Sequence, residues 1–142
     1  MKTLNIITQS IISNKDAVVD YHVETSTLIC EVLAEFTSRE NFINLFTEMG
    51  EFIKKNNVKK LIFDKRNMRI FDQTSMEWYH VEWKTSMKKY GLSVYRKILP
   101  NDFIFEKSVE LGRLKIAKEN PAFKFEDFDI QYCKTVEEAM EK

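Results

Sequence analysis

The run Leu61-Ile62-Phe63-Asp64, followed by a seven-residue connection from Lys65 to Phe71 and then by Asp72-Gln73-Thr74-Ser75 at the head of a helical pattern, limits the fold more than any other stretch. Three consecutive apolar residues ending on a carboxylate describe a central strand covered on both faces. A polar connection and a capped helix then make a strand-to-helix junction, the place where α/β proteins put their functional groups. The chain is therefore expected to be α/β, with its working residues at this junction.

The remaining sequence extends that pattern in both directions. Residues 3–12 (TLNIITQSII) are rich in β-branched side chains and predict an edge strand closed by Ser13-Asn14-Lys15-Asp16. Residues 17–24 and 27–36 alternate in polarity and predict two further antiparallel strands. Thr37-Ser38-Arg39-Glu40-Asn41 supplies a helix start, and Phe42, Leu45, Phe46, Met49, Phe52 and Ile53 recur at spacings of three and four up to Asn56-Asn57. After the strand 58–64, a second helix is predicted from its cap at Thr74 to Tyr90, with Gly91 closing it. Met76, Tyr79, His80, Trp83, Met87 and Tyr90 form its apolar stripe, with Glu77, Lys84, Thr85 and Lys88 largely opposite. A strand over 93–99 ends at Pro100, and a third helix capped by Asn101 or Asp102 carries Phe105, Val109, Gly112 and Ile116. A last strand over 127–133 and a short helix opened by the capping-box spacing Thr135-Val136-Glu137-Glu138 complete the order β-β-β-α-β-α-β-α-β-α. Such an order requires a mixed sheet, because parallel neighbours need crossover helices of the length found here.

Composition narrows the function. At 142 residues the chain fits a single domain spanning 1–142, and its 44% hydrophobic content supplies a core. Twenty-two basic residues balance 22 acidic ones, so no net field favours nucleic acid or an anionic membrane surface. Cys30 and Cys133 lie in strand-like runs with no partner at metal-ligand spacing, which reads as two reduced core thiols. Neither a signal-peptide pattern nor a membrane-length apolar run is present, and a cytoplasmic location is the expectation. No Gly-rich phosphate loop, nucleophile elbow or metal-spaced histidine pair occurs, so neither metal nor cofactor is expected.

The junction also resembles a known family. Asp64, the eight-residue interval to Asp72, and Thr74-Ser75 at a helix start are similar to the STAS domain of bacterial anti-sigma-factor antagonists, where a strand-terminal Asp precedes an Asp-Ser-Ser-Gly motif. The wider pattern resembles the SpoIIAA-like family of small bacterial proteins, with STAS-like and CRAL-TRIO-like features. It comprises the Glu82-Trp83 pair, Gly91-Leu92 before a strand, Pro100 before Asp102-Phe103, and the strand Phe128 to Tyr132 ahead of Thr135 to Ala139. The resemblance implies a STAS-like mixed sheet and a non-catalytic regulatory or protein-interaction module. In the phosphorylated antagonists the motif's second serine accepts phosphate, which matches Thr74. This chain departs at Gln73, where the motif has serine, and at Ser75, where it has glycine.

Each polar residue of the junction also has a structural reading. Thr74-Ser75-Met76-Glu77 matches a capping box, and Thr74 and Ser75 together mark a possible phosphorylation or anion site at a helix N-terminus. Asp64 and Asp72 are explained by turn formation and the helix dipole, and no catalytic pair is expected. The candidate binding junction comprises Asp64, Arg66, Arg69, Ile70, Phe71, Asp72 and Trp78, with Ile70 and Phe71 as exposed apolar contacts and Trp78 partly exposed beside them. It suits a protein partner or a second copy of the chain. The alternative is a carrier of a small apolar or anionic ligand, held near Asp64 and the N-terminus of the second helix. His80 is expected to be a core or boundary histidine with one hydrogen-bond partner.

Overall fold

The computed structural model describes residues 8–142. The chain is an α/β protein built on a six-stranded mixed sheet whose strands lie in sequence order, β1 (Thr8–Ser13), β2 (Ala17–His22), β3 (Thr27–Val32), β4 (Lys60–Asp64), β5 (Val94–Ile98) and β6 (Asp129–Cys133). The first three strands pair antiparallel, and β3 through β6 pair parallel. Each parallel step is spanned by a helix, as a crossover requires. These helices are α1 (Arg39–Asn56), a rod made of α2 (Gln73–Glu77), a π-helical segment (Trp78–Lys84) and α3 (Thr85–Lys88), and α4 (Phe103–Glu119). A 3-10 turn (Phe125–Asp127) precedes β6, and α5 (Val136–Glu141) ends the chain. Residues 3–7 of the expected first strand lie outside the described residues. Its remainder forms β1, which carries a bulge between Ser10 and Ile12.

Strand alternation divides the sheet into two unlike faces. Leu28, Cys30, Leu61, Phe63 and Tyr95 point toward the main core with Phe42, Phe46, Met49, Ile53, Tyr79, Trp83 and Met87 from the helices. Ile62, Ile98 and Cys133 point the other way, where Ala139 of α5 covers them. At roughly 1.5–3 kcal/mol for each large apolar side chain buried, the first face carries most of the stabilisation. Its aromatic rings interlock, with Phe46 against Phe63 at 5.2 Å, against Tyr79 at 5.2 Å and against Trp83 at 5.0 Å. The indole N–H of Trp83 donates to the Phe46 carbonyl at 2.6 Å and so ties the rod to α1.

The ends of the helices follow local chemistry. Ser38 accepts from the Asn41 backbone N–H, and Asn57 ends α1 in the left-handed conformation at φ 52°. Asp102 caps α4 by accepting from the backbone N–H groups of Ile104 and Phe105 at 2.9 and 3.3 Å. Thr135 accepts from Glu138 N–H at 3.1 Å, while the Glu138 carboxylate reaches back to Lys134 N–H at 2.9 Å. Gly112 brings α4 against the start of the rod. A Cβ there would lie 2.7 Å from Gln73 Oε1, so no larger residue fits without displacing that side chain.

Several sequence expectations are corrected. The rod begins at Asp72, not Thr74. The Asp72 carboxylate accepts from Ser75 N–H at 2.9 Å and from the Thr74 and Ser75 hydroxyls at 2.5 and 2.9 Å, so the Thr74–Glu77 capping box does not form. Tyr90, expected on the apolar stripe, is exposed, and Phe71, expected at the surface, is buried. Lys84, expected on the outer side of the rod, is fully buried. In α winding Lys84 falls at the edge of the apolar stripe. The π segment closes its turns on the fifth residue, which brings Lys84 over Tyr79 and into the middle of the buried face.

Candidate functional site

Three lysines are buried together on the main-core face of the sheet. Lys97 follows Tyr95 on β5 and pairs in register with Phe63; Lys65 continues the alternation of Leu61 and Phe63 just beyond the end of β4. Both therefore stand at the C-terminal ends of parallel strands, where open α/β sheets place their ligands. Lys84 descends on them from the π segment. Their exposures are 1% for Lys65, 0% for Lys84 and 1% for Lys97, too low for any of the amines to reach bulk solvent along the stem, as surface lysines do.

The walls around these amines are aromatic. Lys65 Nζ lies 4.9 Å from the Phe63 ring centre and 5.2 Å from that of Phe71. Lys84 Nζ lies 4.4 Å from Tyr95 and 4.5 Å from Phe128, and Lys97 Nζ lies 5.3 Å from Tyr79. Ring faces attract cations, each contact contributing about 0.5–2 kcal/mol, which does not offset the desolvation of three ammonium groups. Among the described residues, no carboxylate forms an ion pair with any of the three. His80 adds a further titratable group, its Nδ1 3.4 Å from Lys84 Nζ.

Burial and mutual repulsion set the charge states. Burial first, and then the charge of Arg113, lowers Lys65 to about 7. The same causes, joined by Lys65, lower Lys84 to about 6. Lys97 is held well below its ordinary value by burial, with Lys84, Lys65 and Arg113 adding to the effect. His80, buried beside Lys97, Lys84, Lys65 and Arg113, is likewise held well below the usual imidazole range and is neutral at physiological pH. The cluster thus holds basic groups poised to accept protons as soon as an anion arrives.

Unpartnered polar atoms accompany the cations. The hydroxyls of Tyr79 and Tyr95 and the Nε2 of Gln73 are buried with no hydrogen-bond partner among the described residues. Leaving one such group unpaired costs about 1–3 kcal/mol, and native proteins carry few of them. The Tyr79 and Tyr95 rings are two of those against which the lysine amines lie, and Gln73 packs beneath Gly112, next to Arg113.

A groove of about 1190 Å³ opens beside this cluster, between α4 and the ends of β5 and β6. Its apolar lining includes Leu99, Val109, Leu114 and Phe125, and its charged lining includes Arg66, Glu106, Glu110 and Arg113. Phe125 and Arg113 form the wall shared by groove and cluster. The Phe125 ring lies 5.0 Å from His80 on one side and 4.4 Å from the Arg113 guanidinium, which also donates to the Tyr132 hydroxyl at 2.7 Å.

The residues expected at the junction are dispersed. Asp64 shares the parity of Ile62, on the α5 face, and is clamped by Arg66 through two side-chain bonds of 3.0 and 2.8 Å and one backbone bond of 3.1 Å. Asp72 is occupied by Thr74 and Ser75, whose hydrogen bonds hold its carboxyl below the usual range, the Thr74 hydroxyl contributing most. Asp64 and Asp72 are thus engaged separately. Phe71 stacks toward Phe42 at 5.4 Å and Trp78 is half-buried against the same ring at 6.3 Å, so neither presents an open face. Ile70 is exposed, and Arg69 reaches Glu35 at 3.8 Å on the surface. Arg66 and Arg69 line a smaller polar cleft of about 360 Å³ with Glu35 and Asp102. His80 does have the single hydrogen-bond partner expected of it, and that partner is Lys84.

In sequence Lys65 is one residue of a polar connection and Lys84 falls opposite the apolar stripe, and no motif marks Lys97, Tyr95 or Arg113. One signal was available: Lys65 keeps the parity of Leu61 and Phe63, and Lys97 keeps that of Tyr95. Comparison with family models, with curated proteins and with solved structures returned no match.

Proposed function

We propose that the protein is a non-catalytic binding domain that holds a small organic or inorganic anion against the buried amines of Lys65, Lys84 and Lys97, with the adjoining groove taking any apolar part of the ligand. The observation that carries this reading is a set of three buried lysines that have no carboxylate partner among the described residues. A charge left unpaired in a protein interior is strongly destabilising, so such a set is retained for a ligand that neutralises it. The unpartnered tyrosine hydroxyls supply donors to the same ligand, and the position at the ends of β4 and β5 is where an α/β sheet of this kind receives one. The reading takes up the alternative raised from sequence, a carrier of a small apolar or anionic ligand held near Asp64 and the N-terminus of the second helix, and moves the ligand to the amines that face the Phe63 and Phe71 rings. Isothermal titration with phosphate, sulfate and benzoate, against chloride as control, tests it. Saturable binding that is lost in Lys65→Met and Lys97→Met supports the reading; heats indistinguishable from chloride for all three anions refute it.

A second reading, a STAS-like protein-interaction module, draws on a different observation. Ile70 on the junction and Phe103, Ile104, Leu111 and Leu114 on α4 are large apolar side chains left exposed. Light scattering tests self-association through them. A dimer converted to monomer by Leu111→Asp with Leu114→Asp supports it, and a monomer at all concentrations removes the dimeric form.

A further inference from the structure

We propose that the Lys84 amine takes up carbon dioxide as a carbamate, creating inside the protein the anion that the cluster of Lys65, Lys97 and Arg113 lacks. The inference rests on the anion-site reading above and names a ligand that the chain's own amine can make.

Four observations carry it. The first is access. With Lys65, Lys84 and Lys97 all at 0–1% exposure, a ligand reaching the amines without displacing a helix must be small. Carbon dioxide is also uncharged and apolar, so it crosses an aromatic shell at little desolvation cost, unlike bicarbonate or phosphate. The second is the nucleophile. Only an unprotonated amine attacks carbon dioxide, and the burial of Lys84 among other cations keeps it in that form near neutral pH.

The third is the proton acceptor. The Lys84 nitrogen attacks the carbon, a C–N bond forms, and one C=O π pair moves onto oxygen. The nitrogen then sheds a proton to His80 Nδ1, 3.4 Å away. The proton comes to rest on the neutral amine of Lys65 or Lys97, both close enough to His80 for their charges to act on it. The balance is two neutral amines and one carbon dioxide giving one carbamate and one ammonium, with no oxidant or outside base required. Lys84 is the lysine of the three that has this imidazole against its amine, because the two residues stand four apart on the buried side of the rod.

The fourth is the fate of the product. A carbamate presents two acceptor oxygens, and the buried Tyr79 and Tyr95 hydroxyls lack acceptors. The new negative charge raises the proton affinity of Lys65 and Lys97, so the cluster changes from mutually repelling amines to an ion pair network. A site of this kind responds to dissolved carbon dioxide.

The test uses the full chain equilibrated with ¹³C-labelled bicarbonate and carbon dioxide at neutral pH. Carbon NMR is expected to show one carbamate resonance, lost on degassing and lost in Lys84→Met. Trapping the wild-type carbamate by O-alkylation and mapping the peptides places the label without relying on a variant that may not fold. Label on Lys84 supports the proposal; no label, or label confined to Lys65, Lys97 or the N-terminus, overturns it. Calorimetry with phosphate in carbon-dioxide-free buffer separates the two readings. Phosphate binding without carbamate overturns the carbamate and leaves the anion site standing, whereas absence of both overturns both.

Discussion

Buried cations lie on both faces of the sheet, and the two faces treat them differently. Arg96 of β5 points toward the α5 face, where its guanidinium donates to the Asp129 carboxylate at 3.1 and 3.2 Å, to the Asp129 carbonyl at 2.9 Å and to the Lys142 carbonyl at 2.7 Å. Lys97, its neighbour in sequence, points toward the main core and joins Lys65 and Lys84, with which no carboxylate among the described residues forms an ion pair. A cation kept for structure is built together with its anion, as Arg96 is. A cluster lacking one is costly to the fold, and that cost is the basis of the anion-site proposal.

The largest expected effect that sharpens this contrast is on pH. Lys65 and Lys84 have folded-state values of about 7 and about 6 against 10.5 for the free side chain. Between those limits the unfolded chain binds protons that the folded chain does not. Stability therefore rises with pH from about 6–7 toward 10.5, by about 1.4 kcal/mol per pH unit for each such group. The groups facing this cluster are Lys65, Lys97, Tyr95, Tyr79, His80 and Arg113, and in none of them does a carboxylate oppose the trend. Urea unfolding at pH 7 and pH 9 is expected to show a large increase in midpoint, cut to roughly a third when Lys84→Met and Lys65→Met are combined, with Lys97 supplying the rest. An Arg96→Met variant is expected to keep the full pH slope.

Next in size are the single substitutions near neutral pH. Arg96→Ala removes several charge-assisted hydrogen bonds and a packed side chain, and is expected to cost about 2–4 kcal/mol. Lys84→Met keeps the volume and removes the buried base, and is expected to stabilise the ligand-free protein by about 1–3 kcal/mol while abolishing anion binding. Opposite signs for these two substitutions uphold the comparison; two losses of similar size break it. The smallest effect concerns the rod's first turn. Asp72→Ala is expected to cost about 0.5–2 kcal/mol and Thr74→Ala only a few tenths, reversing the order that a Thr74 cap implies. Thermal unfolding of the two variants at one pH checks this.

These contrasts also show which parts of the molecule were legible in sequence. The mixed sheet, the α1 stripe and the crossover helices could be read because burial there follows simple periods of two and 3.6. The junction does stand at the end of a central strand, and the lysine cluster proposed as the site lies one side chain away from the residues that stand out in sequence. Asp64 and Lys65 point to opposite faces, and the acid is satisfied by Arg66 while the amine is not. Lys84 was misplaced because π winding leaves no mark on an α-helical wheel. Lys97 was passed over because a lysine next to an arginine reads as a solvated edge, and here the strand is covered on both faces. Asp72 and Thr74 both precede a residue able to complete a cap, and only the backbone path decides that Asp72 does so.

The most direct test of the central claim is the proton balance of anion binding. Phosphate is titrated into the protein near pH 7.5 in two buffers of different ionisation enthalpy, in the absence of carbon dioxide. Because the amines are held neutral until an anion arrives, binding is expected to take up protons from the buffer, and the uptake is expected to fall in Lys65→Met. Binding with no proton uptake, or no binding at all, contradicts the account.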